Sequence, residues 1–132
     1  MSHFTQVKTN LTQAKTLKKA LSRMGFEVVE ADEGVSVRGF FGNTEAADFK
    51  ILTRTHYDIG FKKTIDGSYE LLGDWDLMPK VAGIEKESFT QHLKREYARE
   101  SIQEIAQEKG FDIQVEESEE TGEIQMVLTS WS

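Results

Sequence analysis

Three histidines, His3, His56 and His92, are the side chains of this sequence whose ordinary charge change falls near neutral pH. His56 has the richest surroundings: Arg54 and Asp58 stand two residues to either side, and Lys62 follows on. A His–Asp pair at a strand end can move protons. The cations beside it would suit an anionic ligand, so Arg38, Lys50, Arg54, His56 and Lys62 form one candidate set. The same residues also describe a polar loop tip with an acidic neighbour. His92 opens a row with Glu96 and Glu100 at intervals of four, which a helix would place on one face as a conceivable metal site. None of the three histidines has the HxH or HExxH spacing of zinc sites. Charge rows are commonly solvated faces. No metal and no cofactor is expected.

Other chemistries are poorly served. The chain has no cysteine, which excludes disulfides, thiol nucleophiles and thiolate metal sites. No serine lies in a GxSxG context and no glycine-rich phosphate loop precedes a helix. Gly39-Phe40-Phe41-Gly42 flanks strands and reads as a turn or bulge. No residue is assigned a catalytic role. Catalytic groups assemble in space, so missing motifs do not exclude an enzyme, but they leave no reaction to name, and a non-enzymatic protein is favoured. The net charge of −7 argues against nucleic acid as a partner. Residues 1–66 hold ten Lys/Arg against eight Asp/Glu, whereas residues 67–132 hold six against fifteen. That polarity lets the two halves attract one another, or orients a partner.

For recognition the sequence offers a second place. Trp75 to Ser88 (WDLMPKVAGIEKES) is long for a connection and rich in apolar residues, and Pro79 and Gly83 interrupt any continuous helix. Trp75, Leu77 and Met78 are candidate anchors for a protein partner. The alternative is that they close one end of the core.

The elements that must position these groups are legible from periodicity. Phe49 and Ile51, then Tyr57, Ile59 and Phe61, then Tyr69 and Leu71 alternate, and Asp66-Gly67 marks a hairpin, so residues 46–74 predict an antiparallel meander. Arg38, Lys50, Arg54 and Lys62 share its other face with Asp48, Asp58 and Glu70, predicting an open face of mixed charge. His3 to Thr9 is a candidate first strand. Leu11, Ala14, Leu17, Leu21 and Met24 predict an amphipathic helix capped by Asn10 and Gln13 and stopped by Gly25. Phe26–Glu30 and Gly34–Phe40 read as two strands joined through Ala31-Asp32-Glu33 as a hairpin.

A second helix is expected over Ser88–Lys109, ended by Gly110, with a terminal hairpin after it across the acidic turn 117–122. Tyr97, Ala98, Ile102 and Ile105 share one arc of that helix. Glu96, Glu100, Glu104 and Glu108 share another with Phe89 and Leu93. Either the first turn packs under the Trp75 connection or the helix bends. The glutamate face could be structural, facing the lysines of the first helix, or a docking surface. The repeated Gly-Phe-acid-strand pattern after each helix suggests two β-α-β-β halves around one sheet.

Several stretches together resemble a known family: Met1-Ser2-His3-Phe4, Val7-Lys8-Thr9, Leu17-Lys18-Lys19-Ala20-Leu21 up to Gly25, Tyr57-Asp58-Ile59-Gly60-Phe61 and Tyr69-Glu70-Leu71. Tyr97-Ala98, Gly110-Phe111 and Trp131 fit as well. This is the uncharacterised family of hypothetical chloroplast reading frame thirty-five, of algal plastids and cyanobacteria. The resemblance implies a small soluble protein of a cyanobacterial-type cytoplasm or plastid stroma, and no catalytic residues. The expectations are one α+β domain over residues 1–132, with a mostly antiparallel sheet and two helices on one face. A non-enzymatic binding or adaptor role with a protein partner is expected, with a small anionic-ligand-binding protein or enzyme whose site lies at the strand tip around His56 as the alternative. No signal or membrane segment is read, and a homo-oligomer is left open.

Overall fold

A computed structural model describes residues 4–117 and 124–130. His3, the turn at 118–122 and Trp131 lie outside the described residues. The chain forms β1 (Thr5–Lys8), α1 (Ala14–Arg23), β2 (Val28–Arg38), β3 (Thr44–Leu52), β4 (Asp58–Lys63), β5 (Tyr69–Gly73), α2 (Met78–Val81), α3 (Lys86–Lys109), β6 (Phe111–Glu117) and β7 (Ile124–Ser130). Five strands make an antiparallel sheet in the order β1-β5-β4-β3-β2. It is an α+β fold, and β3-β4-β5 is the meander that alternation predicts.

The alternating apolar residues line up in rows across the strands. Val7 is opposite Leu71, Leu71 opposite Phe61, and Phe61 opposite Phe49; Ile59 is opposite Ile51 in the next row. Because side chains alternate faces, these rows point to one side. There they meet Leu17 and Leu21 of α1 and Phe89 and Leu93 of α3 in one buried cluster. Phe49 and Phe61 stack with centroids 4.9 Å apart at its centre.

The helix ends follow and depart from expectation in instructive ways. α1 stops as predicted: Gly25 has φ +92°, Gly25 N–H donates to Ser22 O and Phe26 N–H to Leu21 O, the glycine-terminated motif that uses up the last carbonyls. Its start is corrected. Asn10 does not cap it; Gln13 holds the cap position without a side-chain capping bond. The cause is β5: Tyr69 N–H donates to Leu11 O at 2.8 Å, and the Thr9 hydroxyl donates to Tyr69 O. Those bonds keep residues 9–11 out of the helix, although Leu11 is buried.

The hairpin expected at Ala31-Asp32-Glu33 is also corrected. Glu30 is opposite Phe49 and Val35 is opposite Ala47, so both segments pair with the same strand and β2 is one eleven-residue strand with a bulge between them. The chain reverses instead at the short 3-10 turn Phe40–Gly42. The bulge has a large consequence. The distal half of the β2–β3 ribbon folds back over the sheet face opposite the helices, where Val37 and Ala47 bury with Leu72, against Phe4 and Val35. The face expected to be open is covered along its centre.

α3 begins at Lys86, two residues before the predicted start, and ends at Gly110 with φ +74°. Its first turns pack under the Trp75 connection: the Phe89 ring lies 5.6 Å from Phe26 and 6.2 Å from Trp75. β6 and β7 pair with each other as a separate two-stranded sheet, so the two halves do not share one sheet. Among the described residues no helix is long and apolar enough to cross a membrane.

Candidate functional site

Of the predicted cationic set, Arg38 and Lys50 come together, and they do so on Asp58. Arg38 sits at the end of the folded-back ribbon, and Asp58 opens β4 beneath it. Arg38 donates from Nη2 to Asp58 Oδ1 at 2.8 Å, and from Nε at 3.0 Å and its backbone N–H at 2.8 Å to Oδ2. Lys50 Nζ donates to Oδ2 at 2.9 Å and to Ser36 O at 2.7 Å. The Asp58 side chain is 0% exposed. Burial pushes its carboxyl upward, but the hydrogen bonds from Arg38 and Lys50 outweigh that and hold it below the ordinary carboxylate value. The Arg38 guanidinium is raised in turn, chiefly by its hydrogen bonds to Asp58. Four hydrogen bonds from two cations hold this carboxylate, three on Oδ2 and one on Oδ1, so it serves as the buried counter-charge of Arg38 and Lys50.

His56 and Arg54 are placed elsewhere. They project as exposed residues from the 53–57 turn. Arg54 there has φ 65°, a left-handed conformation that the neighbouring threonines stabilise. Thr53 Oγ1 donates to Tyr57 O at 2.5 Å, and Thr55 Oγ1 accepts from Tyr57 N–H at 3.0 Å. Lys62 is at the far end of β4, opposite Glu70 of β5. The structure thus divides the five residues among a buried ion cluster, a loop tip and a distant strand end. Among the described residues no group of three or more potential ligands is placed to hold a metal.

The second predicted place is also divided. Trp75 is 7% exposed and Met78 is 0% exposed, both in the main core, while Leu77 is half-buried. Asp74 starts the turn that forms α2, its carbonyl accepting from the N–H groups of Leu77 and Met78. Leu77 and Val81 are one helical turn apart, linked by the Val81 N–H to Leu77 O bond. Val81 is 41% exposed. Close by is a cavity of about 290 Å³ lined by Met24, Phe26, Gly83, Ile84, Glu85, Ser88, Phe89 and His92. Its floor is apolar and its rim polar. In the sequence Val81 and Ile84 are simply two of the apolar residues of the 75–88 connection. Met24 and Phe26 were visible as a helix end, with nothing to place them beside residue 84.

The glutamate row turns inward. Glu100 is 3% exposed and pairs with Arg23 of α1, Glu104 pairs with Lys19 and accepts from the Thr16 hydroxyl at 3.0 Å, and Gln103 accepts from Arg23. Arg23 and Lys19 of α1 therefore pair with two of the four glutamates, Glu100 and Glu104, as a helix pair lying side by side would. His92 lies 3.8 Å from Glu96 on the exposed side.

Comparison with known proteins adds a family but no activity. Residues 20–127 match the family described as "Protein of unknown function (DUF1257)". The chain is similar to a protein named "Uncharacterized protein ycf35" from Cyanophora paradoxa, 31% identical over 99% of this chain and 98% of that protein. It is similar to another of that name from Guillardia theta, 30% identical over 99% of this chain and 98% of the relative. No solved structure matches the chain.

Proposed function

The chain belongs to the DUF1257 family, and we propose that it is a non-catalytic module that docks a protein segment carrying an apolar anchor with basic neighbours. The observation that carries this reading is the apolar ridge of α2. Leu77 and Val81 stand on one side of it, and Ile84 continues from them into the cavity above Phe26 and Phe89. Trp75 and Met78 act from beneath, fixing the ridge to the core. A cavity of about 290 Å³ accommodates one large apolar side chain, the kind of anchor that dominates such interfaces. Asp76, Glu85 and Glu87 are exposed around the ridge, so basic residues beside the anchor would be drawn to it. The compartment that fits the family resemblance is a cyanobacterial-type cytoplasm or plastid stroma.

The test is a photo-crosslinking residue placed at Val81 in the full chain, with the same residue at exposed Lys15 as control. A discrete adduct from position 81, weakened by Glu85→Lys and lost in a folded Leu77→Asp variant, supports the reading. An adduct of equal yield from position 15, or one that survives Leu77→Asp, overturns it.

A further inference from the structure

We propose that β7 pairs along its free edge with β7 of a second copy of this chain, joining the two β6–β7 ribbons into one four-stranded antiparallel sheet. An open strand edge presents unpaired backbone N–H and C=O groups, and proteins blunt such edges with short length, bulges, proline or charge. Among the described residues four strands border an open edge, β1, β2, β6 and β7. Three of them are blunted. β1 has four residues and ends in Lys8. β2 is bulged and carries Glu30, Asp32 and Glu33. β6 carries Asp112, Glu116 and Glu117. β7 runs for seven residues without a charge, a proline or a glycine. It pairs with β6 alone among the described residues, and a two-stranded ribbon is marginal by itself.

The pairing inside the ribbon determines what a further strand must supply. Ile113 is opposite Leu128 and Val115 is opposite Met126, so strand alternation puts Phe111, Ile113, Val115, Ile124, Met126 and Leu128 on one face. The row stops at β7. A strand that extends it needs apolar residues at alternate positions in matching register. β7 itself meets that need when it pairs antiparallel about Val127. Met126 then stands opposite Leu128 of the second copy, Gln125 opposite Thr129, and Val127 opposite its own counterpart. Every pair except the terminal Ile124 with Ser130 matches apolar with apolar or polar with polar.

Charge favours the same arrangement. The chain carries −7, and residues 67–132 hold six Lys/Arg against fifteen Asp/Glu, so two copies repel over much of their surfaces. β7 lets them meet along a strand that bears no carboxylate. Antiparallel pairing sends the Glu116-Glu117 ends of the two ribbons to opposite ends of the seam, whereas parallel pairing would set them side by side. The contact is isologous and closes at two copies. Both β7 edges are then used, and the outer edges of the new sheet are the acidic β6 strands. The α2 ridge is a different part of the chain, so the two proposals stand separately.

The experiment is sedimentation velocity of the full chain across a wide concentration range. The expected result is a species of twice the chain mass whose share grows with concentration. Val127→Lys and Val127→Glu each put like charges opposite one another and weaken the dimer by about tenfold. Mixing those two variants restores it, because the facing charges are then opposite in sign. The chain has no cysteine, so Val127→Cys gives a readout without a charge change. Mild oxidation joins it into a disulfide-linked dimer, while Gln125→Cys, opposite Thr129 of the second copy, stays beyond the reach of a disulfide. Three results each overturn the proposal: a monomer at every concentration, a dimer that both charged variants leave unchanged, or a disulfide yield as high at position 125 as at 127. Far-UV circular dichroism shows whether each variant is folded, and if the charged variants unfold, the two cysteine variants decide.

Discussion

The guanidinium of Arg38 grips the carboxylate of Asp58 with two hydrogen bonds, Nη2 at 2.8 Å to one oxygen and Nε at 3.0 Å to the other. This contact pins the folded-back end of β2 to the first residue of β4, so it fastens the cover onto the sheet. Removing a fully buried acid leaves two cations without their counter-charge. Burying and pairing such ions contributes little net stability, whereas breaking the set is costly.

Asp58→Ala is therefore expected to destabilise the fold by about 2–4 kcal/mol, somewhat below a fully interior pair because Arg38 is partly exposed and its charge can still hydrate. Urea unfolding measures it. Arg38→Met in the Asp58→Ala background should cost much less than Arg38→Met alone, since the two act on one cluster. Additive losses would show that the contact does not hold the cover.

The same carboxyl makes stability depend on acidity in a definite direction. Its folded pKa lies below the ordinary 3.8, because the hydrogen bonds from Arg38 and Lys50 overcome the opposing effect of burial. The folded state then releases this proton more readily than the unfolded chain, and stability rises with pH across the interval between the two values. The contribution is fully present above about pH 5 and is lost as pH falls through the folded pKa. The stability difference between the native chain and Asp58→Asn should shrink over that acid range and stay constant above it. Unfolding midpoints taken at several pH values check this.

Gly60 is the second point at which the cover depends on a single position. A Cβ there would lie 2.3 Å from Val37 Cγ2 and 3.1 Å from Ala47 Cβ. Gly60→Ala should cost about 1–3 kcal/mol by overpacking. Val37→Ala should recover part of that loss, because it removes the methyl group in the way. Thermal or urea unfolding of the two single variants and the double variant decides the matter, and the absence of any recovery would mean that the ribbon does not close on Gly60.

The sequence alone determined the meander, the C-terminal stop of α1 and the family. Strand alternation, glycine at a helix end and a hairpin turn are local signals, set by backbone geometry within a few residues. Local signals also misled at Asn10, where a good capping pattern lost to the pairing of Leu11 with Tyr69. On α3 the sequence shows two arcs, one with Ile102 and Ile105 and one with Leu93 and the glutamates. The structure buries Leu93 and Glu100 and leaves Ile105 half-exposed. A glutamate can face inward only because Arg23, seventy-seven positions earlier, meets it there.

Only the tertiary structure decided the fate of the charged residues singled out as a site. Arg38, Lys50 and Asp58 have a common parity, and the observed register of β2, β3 and β4 brings them to one face. Whether that face is open depends on a bulge between Glu30 and Val35 that bends the ribbon back across it. Likewise Lys8 and Lys62 flank Glu70 only because β5 lies between β1 and β4, a strand order that no pattern in either segment encodes. Period and turn chemistry act over a few residues. Ion pairing and clefts depend on which distant elements become neighbours, and that follows from packing the whole chain.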